Sequence, residues 1–288
     1  MTTLDPTVIE QQVQNIENTD ALVLKDVHRF PTIHSVVLPK MVISIVQKGT
    51  ARLSFDYSEH HVAPNDVAIF PAKHIFSGLH TSEDYSTTLV ILSEKLVEDA
   101  RLTSFSFNLQ PYHIKPIAQL TETQVNSILS IVEMLELILQ QKGPVLPHRH
   151  EALCSTLHIL FEFLNAFRQE ENKEIDNASR GSLVYIKFMD LLAAHYSEEH
   201  KVNFYAEKLC LTPKYMSKLI HDATGYGANT WIDQYILAKS KLLLISRKDL
   251  SVQAISQTLG FPEQASFTRF FRNLTGQSPR EFRFENMR

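Results

Sequence analysis

Cysteines, glycines and long apolar runs are all scarce in this sequence of 288 residues. The two cysteines, Cys154 and Cys210, are too few for a disulfide framework or a four-ligand zinc site, and the apolar helical patterns around them predict that both are buried. The eight glycines form no phosphate-binding loop, and no G-x-S-x-G elbow for a serine nucleophile occurs. The sequence therefore disfavours nucleotide hydrolysis and serine-hydrolase chemistry, and no catalytic residue is predicted.

The sequence also has no apolar stretch long enough to cross a membrane. Its first residues, MTTLDPTVIEQQVQNIE, have neither the basic start nor the apolar core of a secretory signal. We therefore expect a cytoplasmic protein that has no membrane partner.

The net charge of −4 averages two unlike halves. Residues 181–288 contain 14 Lys and Arg against 10 Asp and Glu, a balance of +4, whereas residues 1–180 contain 14 against 22, a balance of −8. This asymmetry favours a basic DNA-contacting domain joined to an acidic regulatory domain.

The apolar pattern divides the chain into two predicted domains of an α+β protein. Short β-branched and aromatic runs, broken by turn residues, indicate strands of a sandwich or small barrel from about residue 21 to residue 92. Apolar residues at helical spacing then indicate helices 121–141 and 150–167. The predicted ranges are 1–168 for the β-barrel domain with its helices, 169–182 for a linker, and 183–288 for an all-α domain.

The two helices at 121–141 and 150–167 are predicted to form an antiparallel hairpin, because only a short loop containing Gly143-Pro144 separates them. Their apolar content is high enough to cover a sheet and also to meet a second copy of the chain. Two alternatives therefore stay open: the hairpin belongs to an intrachain core only, or it also forms a homodimer.

A repeat in the second domain carries the functional argument. Val202, Leu209 and Leu211 match Val252, Leu259 and Phe261 at an offset of 50, and one extra residue in the second turn shifts later matches to 51, as for Gly225 and Gly276. Each copy predicts a short helix, a tight turn and a longer helix closed by Thr-Gly. Because two copies are too few for a solenoid, the repeat indicates a pair of helix-turn-helix units.

Each longer helix has an apolar stripe and an opposite stripe of cations, amides and hydroxyls without acids. The predicted inward residues are Met216, Leu219, Ile220 and Ala223 in the first unit and Phe267, Phe270, Phe271 and Leu274 in the second. The predicted DNA-contacting residues are Lys214, Ser217, Lys218 and His221 in the first unit and Gln264, Ala265, Thr268, Arg269 and Arg272 in the second.

These outer stripes suit the major groove, where Arg and Lys donate to guanine, Gln pairs with adenine and small residues meet the thymine methyl group. An ordinary solvated helix face is the alternative, but it more often alternates acids with bases. Between the units, NTWIDQYILAKSKLLLISRKD predicts one linking helix. Such a helix would hold the units at a fixed separation, and a separation of roughly 34 Å would let both enter the groove on one DNA face.

The segment GFPEQASFTRFFRNLTGQSPREFR, Gly260 to Arg283, closely resembles the signature of the AraC/XylS family of bacterial transcription regulators, and the resemblance covers the whole chain. The family's base-reading positions fall on residues of the two stripes: Lys214, Ser217, Lys218, Gln264, Ala265, Thr268 and Arg269. Local departures occur at Ile220, Ile236 and Ser240. In the first domain, APNDVAIFPAKH resembles a turn of a cupin barrel.

The resemblance implies a cupin-like domain for effector binding or dimerisation, followed by a domain that binds double-stranded promoter DNA. It thus predicts a sequence-specific transcription regulator that responds to a small molecule and that contacts RNA polymerase if it is an activator. Among the histidines near the strands, His34 and His74 are the candidate effector ligands.

Two other functions remain open: a non-specific architectural DNA-binding protein, and a metal-dependent cupin enzyme with an accessory DNA-binding domain. The second is disfavoured because His60 and His61 are adjacent and would face opposite sides of a strand. His148 and His150 have suitable spacing but lie at the start of a helix. The sequence therefore predicts no metal site and no cofactor.

Overall fold

A computed structural model describes residues 20–28, 36–100, 112–113, 115–141, 146–171 and 180–286. Contacts divide the chain into two units: the first takes in the described residues of 1–33, 38–72 and 78–177, and the second takes in those of 34–37, 73–77 and 178–288. The predicted boundary had assigned 34–37 and 73–77 to the first domain. They fall in the second unit through contacts such as that between Lys73 Nζ and Asp190 Oδ1, which are 3.5 Å apart.

The β-rich part consists of two antiparallel sheets, in agreement with the predicted cupin-like fold class. One sheet has the strand order β1-β8-β3-β6-β9 and the other has the order β2-β7-β4-β5. The strands are β1 (Ala21–Val27), β2 (Val36–Val37), β3 (Met41–Lys48), β4 (Ala51–Phe55), β5 (Ser58–Val62), β6 (Asp66–Phe70), β7 (Ile75–Thr81), β8 (Ser86–Leu92) and β9 (Ile117–Gln119).

Helices cover one face of the five-stranded sheet. After α1 (Glu94–Asp99), α2 (Glu122–Gln140) and α3 (Arg149–Glu171) form the hairpin. Buried residues of the sheet such as Ile43 and Val90 share one core with Leu157 on α3. Since these side chains leave water on folding, this core is the main source of stability of the unit.

The hairpin is closed by local hydrogen bonds that its sequence encodes. Thr121 and Gln124 form a reciprocal capping box at the start of α2. At the other end of α2, Arg149 donates from Nε to the carbonyl oxygen of Ile138 at 3.0 Å and from Nη2 to that of Leu139 at 2.9 Å. These bonds add to the single backbone hydrogen bond, from Gln141 N to Ile138 O at 3.3 Å, with which the helix ends. The predicted loop residues Gly143 and Pro144 lie outside the described residues.

The second unit contains the helices of the repeat. They are α4 (Arg180–His195), α5 (Val202–Lys208), α6 (Pro213–Thr224), α7 (Ala228–Ser246), α8 (Val252–Thr258), α9 (Gln264–Thr275) and α10 (Pro279–Glu285). Because α3 extends to Glu171 and α4 begins at Arg180, both ends of the predicted linker 169–182 are helical, and residues 172–179 are not described.

The two helix-turn-helix units, α5-α6 and α8-α9, repeat each other down to single hydrogen bonds. Leu211 N donates to Ala206 O at 2.9 Å, and Phe261 N donates to Ser256 O at 3.0 Å. The prediction of two such units is therefore confirmed.

The longer helices of the two units, α6 and α9, which we call the recognition helices, also end in the same way. The hydroxyl oxygen of Thr224 lies 2.9 Å from Ile220 O, and that of Thr275 lies 2.8 Å from Phe271 O. Gly225 and Gly276 follow them in the left-handed conformation, with φ of 79° and 80°. The Thr-Gly pair therefore encodes both helix ends locally.

Three residues predicted to be buried are not. Cys154 is only partly buried, and Cys210, the left-handed residue of the α5-α6 turn with φ of 54°, is exposed. Leu274 was predicted to face inward but is 36% exposed, because it lies in the last turn of α9.

Candidate nucleic-acid interface

The first recognition helix, α6, presents its predicted cations to solvent. Thr212 caps the helix by accepting a hydrogen bond from Tyr215 N at 3.3 Å, and Pro213 occupies the first turn. Lys214 and Lys218 are exposed on this helix. Met216 and Ile220, on the opposite side, are fully buried. Local sequence thus fixes both the start of the helix and the side that is exposed.

The other two predicted contacts on α6 have partners of their own. Ser217 is partly buried, and its hydroxyl oxygen accepts a hydrogen bond from Ala228 N at 3.2 Å. His221 is exposed, and its Nδ1 lies 3.8 Å from an oxygen of the neighbouring Asp222. Ser217 therefore anchors the first residue of α7, which was not foreseen from the stripe alone.

The second recognition helix, α9, places its stripe in the same way. Gln264, Ala265, Arg269 and Arg272 are exposed, and Thr268 is partly buried. Glu263 precedes the helix as its N-cap residue, but its side chain accepts no capping hydrogen bond. The start of α9 is thus held by fewer side-chain bonds than the start of α6.

The cations of the two stripes are available to an anionic ligand. Lys214, Lys218 and Arg269 form no ion pair with any carboxylate among the described residues. The pKa of Glu281 is lowered, first by hydrogen bonds from Ser278 and to a smaller extent by the charge of Arg272. Unpaired cations on an exposed helix face suit a polyanion, because binding one costs no ion pair of the protein.

The linking helix α7 connects the two recognition helices. At its start, Trp231 donates from Nε1 to the hydroxyl oxygen of Thr224, the last residue of α6, at 3.0 Å. At the other end, Arg283 of α10 donates from Nε to the carbonyl oxygen of Leu244, in the last turn of α7, at 3.1 Å. It also donates from Nη1 to the carbonyl oxygen of Leu250, which follows α7, at 2.8 Å. Its 19 residues span about 28 Å at 1.5 Å per residue.

The sequence analysis missed the positioning roles of Trp231, Thr224 and Arg283. The sequence predicts a helix through Trp231, but nothing local in it gives the partner of the indole N–H group. Ile236 and Ser240, the departures in this helix, are buried, and the Ser240 hydroxyl donates to Ile236 O at 2.6 Å. They therefore serve the packing of α7.

Only one of the two candidate effector ligands lies among the described residues. His34 lies outside the described residues. His74 belongs to the second unit and is 1% exposed, with its Nδ1 3.4 Å from the hydroxyl oxygen of Tyr185. His60 and His61, in contrast, lie on β5, where His60 is half-buried and His61 is exposed. Burial lowers the pKa of His60.

The first unit also contains a buried polar pair that the sequence analysis did not identify. The hydroxyl oxygens of Ser44 on β3 and Thr87 on β8 lie 2.8 Å apart, and Thr87 donates to Ile45 O. Within the described ranges, no three His, Cys, Asp or Glu residues are grouped so that they could hold a metal ion. No described helix is long and apolar enough to span a membrane.

A two-sheet domain with a helical hairpin, followed by paired helix-turn-helix units with basic recognition helices, defines a DNA-binding regulator with its own sensing domain. Comparisons with known families agree: residues 26–185 match the AraC-like ligand binding domain, and residues 205–284 match a helix-turn-helix domain. Since the first match alone covers more than half of the chain, the protein belongs to the AraC/XylS family of transcription regulators.

Several known proteins are similar to this chain. The Arabinose operon regulatory protein of Escherichia coli is 28% identical over 125 residues, which are 43% of this chain and 41% of that protein. The Msm operon regulatory protein of Streptococcus mutans is 28% identical over 127 residues, 44% and 45% of the two chains. The chain thus spans less than half of the length of these relatives.

Solved structures support the fold over nearly the whole length. Unsaturated fatty acid bound ToxT from Vibrio cholerae has a TM-score of 0.51 and 16% identity, and the match covers 93% of this chain and 96% of that one. An apo form of ToxT that carries one substitution gives the same TM-score of 0.51 at 14% identity, over 93% and 98% of the two chains.

Proposed function

We propose that this protein binds specific promoter sequences through α6 and α9 and thereby regulates transcription. The observation that carries the proposal is the repeat itself: two recognition helices of the same construction each expose cations that have no carboxylate partner among the described residues. Arg and Lys in this position can donate to guanine O6 and N7. The contacts proposed are Lys214, Ser217, Lys218 and His221 on α6, and Gln264, Ala265, Thr268, Arg269 and Arg272 on α9.

The β-rich domain would act as the sensor of a small-molecule effector. The match of residues 26–185 to the AraC-like ligand binding domain supports this role. An effector can shift the protein between two arrangements only if it binds one of them more tightly than the other. His34 and His74 remain the proposed effector ligands, although His74 would first have to give up its contact with Tyr185.

The helical hairpin would pair two copies of the chain. Met134 and Leu137 on α2 are 53% and 54% exposed, and Ile159 and Phe163 on α3 are 51% and 40% exposed. Large apolar side chains at such exposure favour burial against a partner. A mass measurement in solution tests the dimer, and Ile159→Glu should convert it to a monomer.

Because its proposed partner is chromosomal DNA, the protein would act in the cytoplasm, with RNA polymerase as a further partner if it activates. We propose no enzymatic activity. A cupin enzyme would retain a metal ion after purification, whereas a regulator would not need one, so metal analysis of the purified chain separates the two.

Selection of bound fragments from genomic DNA provides the main test. A regulator should enrich a defined sequence and lose about 1 to 3 kcal/mol per mismatched base pair. An architectural protein would instead bind a scrambled duplex equally well.

Two arginines of α9 then test the contacts themselves. Arg269→Ala should relax the preference at one base position, whereas Arg272→Ala should weaken binding to all sequences and reduce the salt dependence. Identical effects of the two substitutions across a randomised operator library would show that these roles are wrongly assigned.

A further inference from the structure

An arginine from another helix is stacked beside the first recognition helix. Arg180 is the first residue of α4, and its Cζ lies 5.5 Å from the centroid of the Tyr215 ring on α6. Both side chains are exposed, Tyr215 to 39%. A guanidinium over an aromatic face is held electrostatically while its N–H groups stay available to another ligand.

No described carboxylate balances the positive charge of Arg180. It forms no ion pair with a described carboxylate, and the first turn of α4 contains no acidic residue. Among the described residues, the Tyr215 ring is therefore the only group that interacts favourably with the Arg180 guanidinium.

The position of Tyr215 on α6 indicates what an adjacent cation would meet. Successive residues of an α-helix are about 100° apart, so Tyr215 lies on the flank of the helix relative to Lys214. An α-helix with its side chains is about 10 to 12 Å wide and nearly fills a major groove of about 12 Å. When Lys214 faces the base edges, the flanks of α6 therefore face the phosphates that border the groove.

The second unit has no corresponding pair. At the offset of 51, the position of Tyr215 is taken by Ser266, which is partly buried and offers no aromatic face. The stacked arginine is thus an addition to the first unit and not a property of the repeat.

We propose that Arg180 binds a DNA backbone phosphate beside α6, and that Tyr215 is the positioning residue that holds its guanidinium ready. The proposal rests on the proposed DNA binding. It adds a contact from outside the helix-turn-helix units, one that is indifferent to sequence because a phosphate carries no base information.

The test measures the salt dependence of binding by the full-length protein, on a fragment selected by the wild type and on a scrambled duplex of equal length. One phosphate contact contributes about 0.9 to the slope of log K against log salt. Arg180→Ala should lower the slope by about that amount on both duplexes. The affinity ratio of wild type to variant should then change about 3.5-fold between 50 and 200 mM salt.

Four further variants test the interpretation. Arg180→Lys should keep the wild-type slope, and Tyr215→Ala should weaken both duplexes equally while Tyr215→Phe does not. Arg247→Ala is the matched control, since its guanidinium is already bound to Asp249 at 2.8 and 2.7 Å, and its slope should stay that of the wild type.

An unchanged slope for Arg180→Ala in a variant that unfolds at the wild-type temperature would overturn the proposal, as would a changed base preference. Because the slope is also measured on the scrambled duplex, the phosphate contact can be detected even if the wild type shows no sequence preference. An absence of sequence preference would overturn the proposed function but not the phosphate contact of Arg180.

Discussion

The turn of the second helix-turn-helix unit cannot accept a side chain at its left-handed residue, whereas the turn of the first unit can. Gly260 has φ of 76°, and a Cβ placed on it would lie 2.1 Å from the carbonyl oxygen of Ser197 and 2.8 Å from its carbonyl carbon. Cys210, the equivalent residue at φ of 54°, is exposed and carries its side chain without burial. We therefore expect Gly260→Ala to be far more damaging than Cys210→Ala.

The magnitude follows from two contributions. A left-handed conformation costs a residue with a Cβ about 1 to 2 kcal/mol, and displacing packed neighbours costs about 1 to 3 kcal/mol more. The neighbour here is backbone, which cannot rotate away, so Gly260→Ala should lower the free energy of unfolding by about 2 to 5 kcal/mol. Cys210→Ala keeps the same backbone and removes only an exposed thiol, so its effect should stay within about 0.5 kcal/mol.

Heat unfolding of the full chain measures both variants. A destabilisation of 1 kcal/mol lowers the midpoint of a unit of about 100 residues by about 4 to 8 °C, so the transition of the second unit should fall by about 8 °C or more in Gly260→Ala. Hydrogen exchange of the α8 and α9 amides assigns the transition to that unit. Equal, small shifts in the two variants would refute the reasoning, because the close approach to Ser197 would then cost nothing.

Substitutions at the end of α6 and on β5 test other parts of the molecule. Thr224→Val should cost about 1 kcal/mol more than Thr275→Val in urea unfolding, because only Thr224 also accepts the indole hydrogen bond of Trp231; equal costs would contradict this role. Burial lowers the pKa of His60 below its usual 6.5. The folded state therefore has its full stability above pH 6.5, where His60 is neutral, and loses stability as the pH falls below 6.5 toward the lowered pKa. His60→Gln should therefore flatten the decline of the unfolding midpoint between about pH 7.5 and 5.5; a wild-type decline in His60→Gln would exclude His60 as the cause.

The recognition helices could be predicted from the sequence because everything that defines them is local. Apolar residues at intervals of three and four give the buried side, and the Thr-Gly pairs ending at Gly225 and Gly276 give the ends. The exposed placement of Lys214 and Arg269 follows from the same periodicity.

Features that depend on distant partners were not predictable in this way. Strand β9 has only three residues, and its pairing with β6 brings together segments about 50 residues apart. The apolar pattern around Cys210 does not reveal that this residue is exposed and adopts the left-handed conformation. Ser217 was assigned to DNA contact by helical spacing and by the family resemblance, whereas its hydroxyl oxygen also accepts a hydrogen bond from an N–H group of the next helix.

The same contacts make the two recognition helices unequal in how firmly they are held. Ser217 and Thr224 tie α6 to α7 through hydrogen bonds of 3.2 and 3.0 Å, whereas the corresponding Thr275 bonds within its own turn, to the N–H group of Gln277 at 3.3 Å. Reading base edges requires side chains positioned within about 0.5 Å, and supporting contacts provide that precision. We therefore expect α6 to contribute the sharper base preference, although α9 carries the closer match to the family signature.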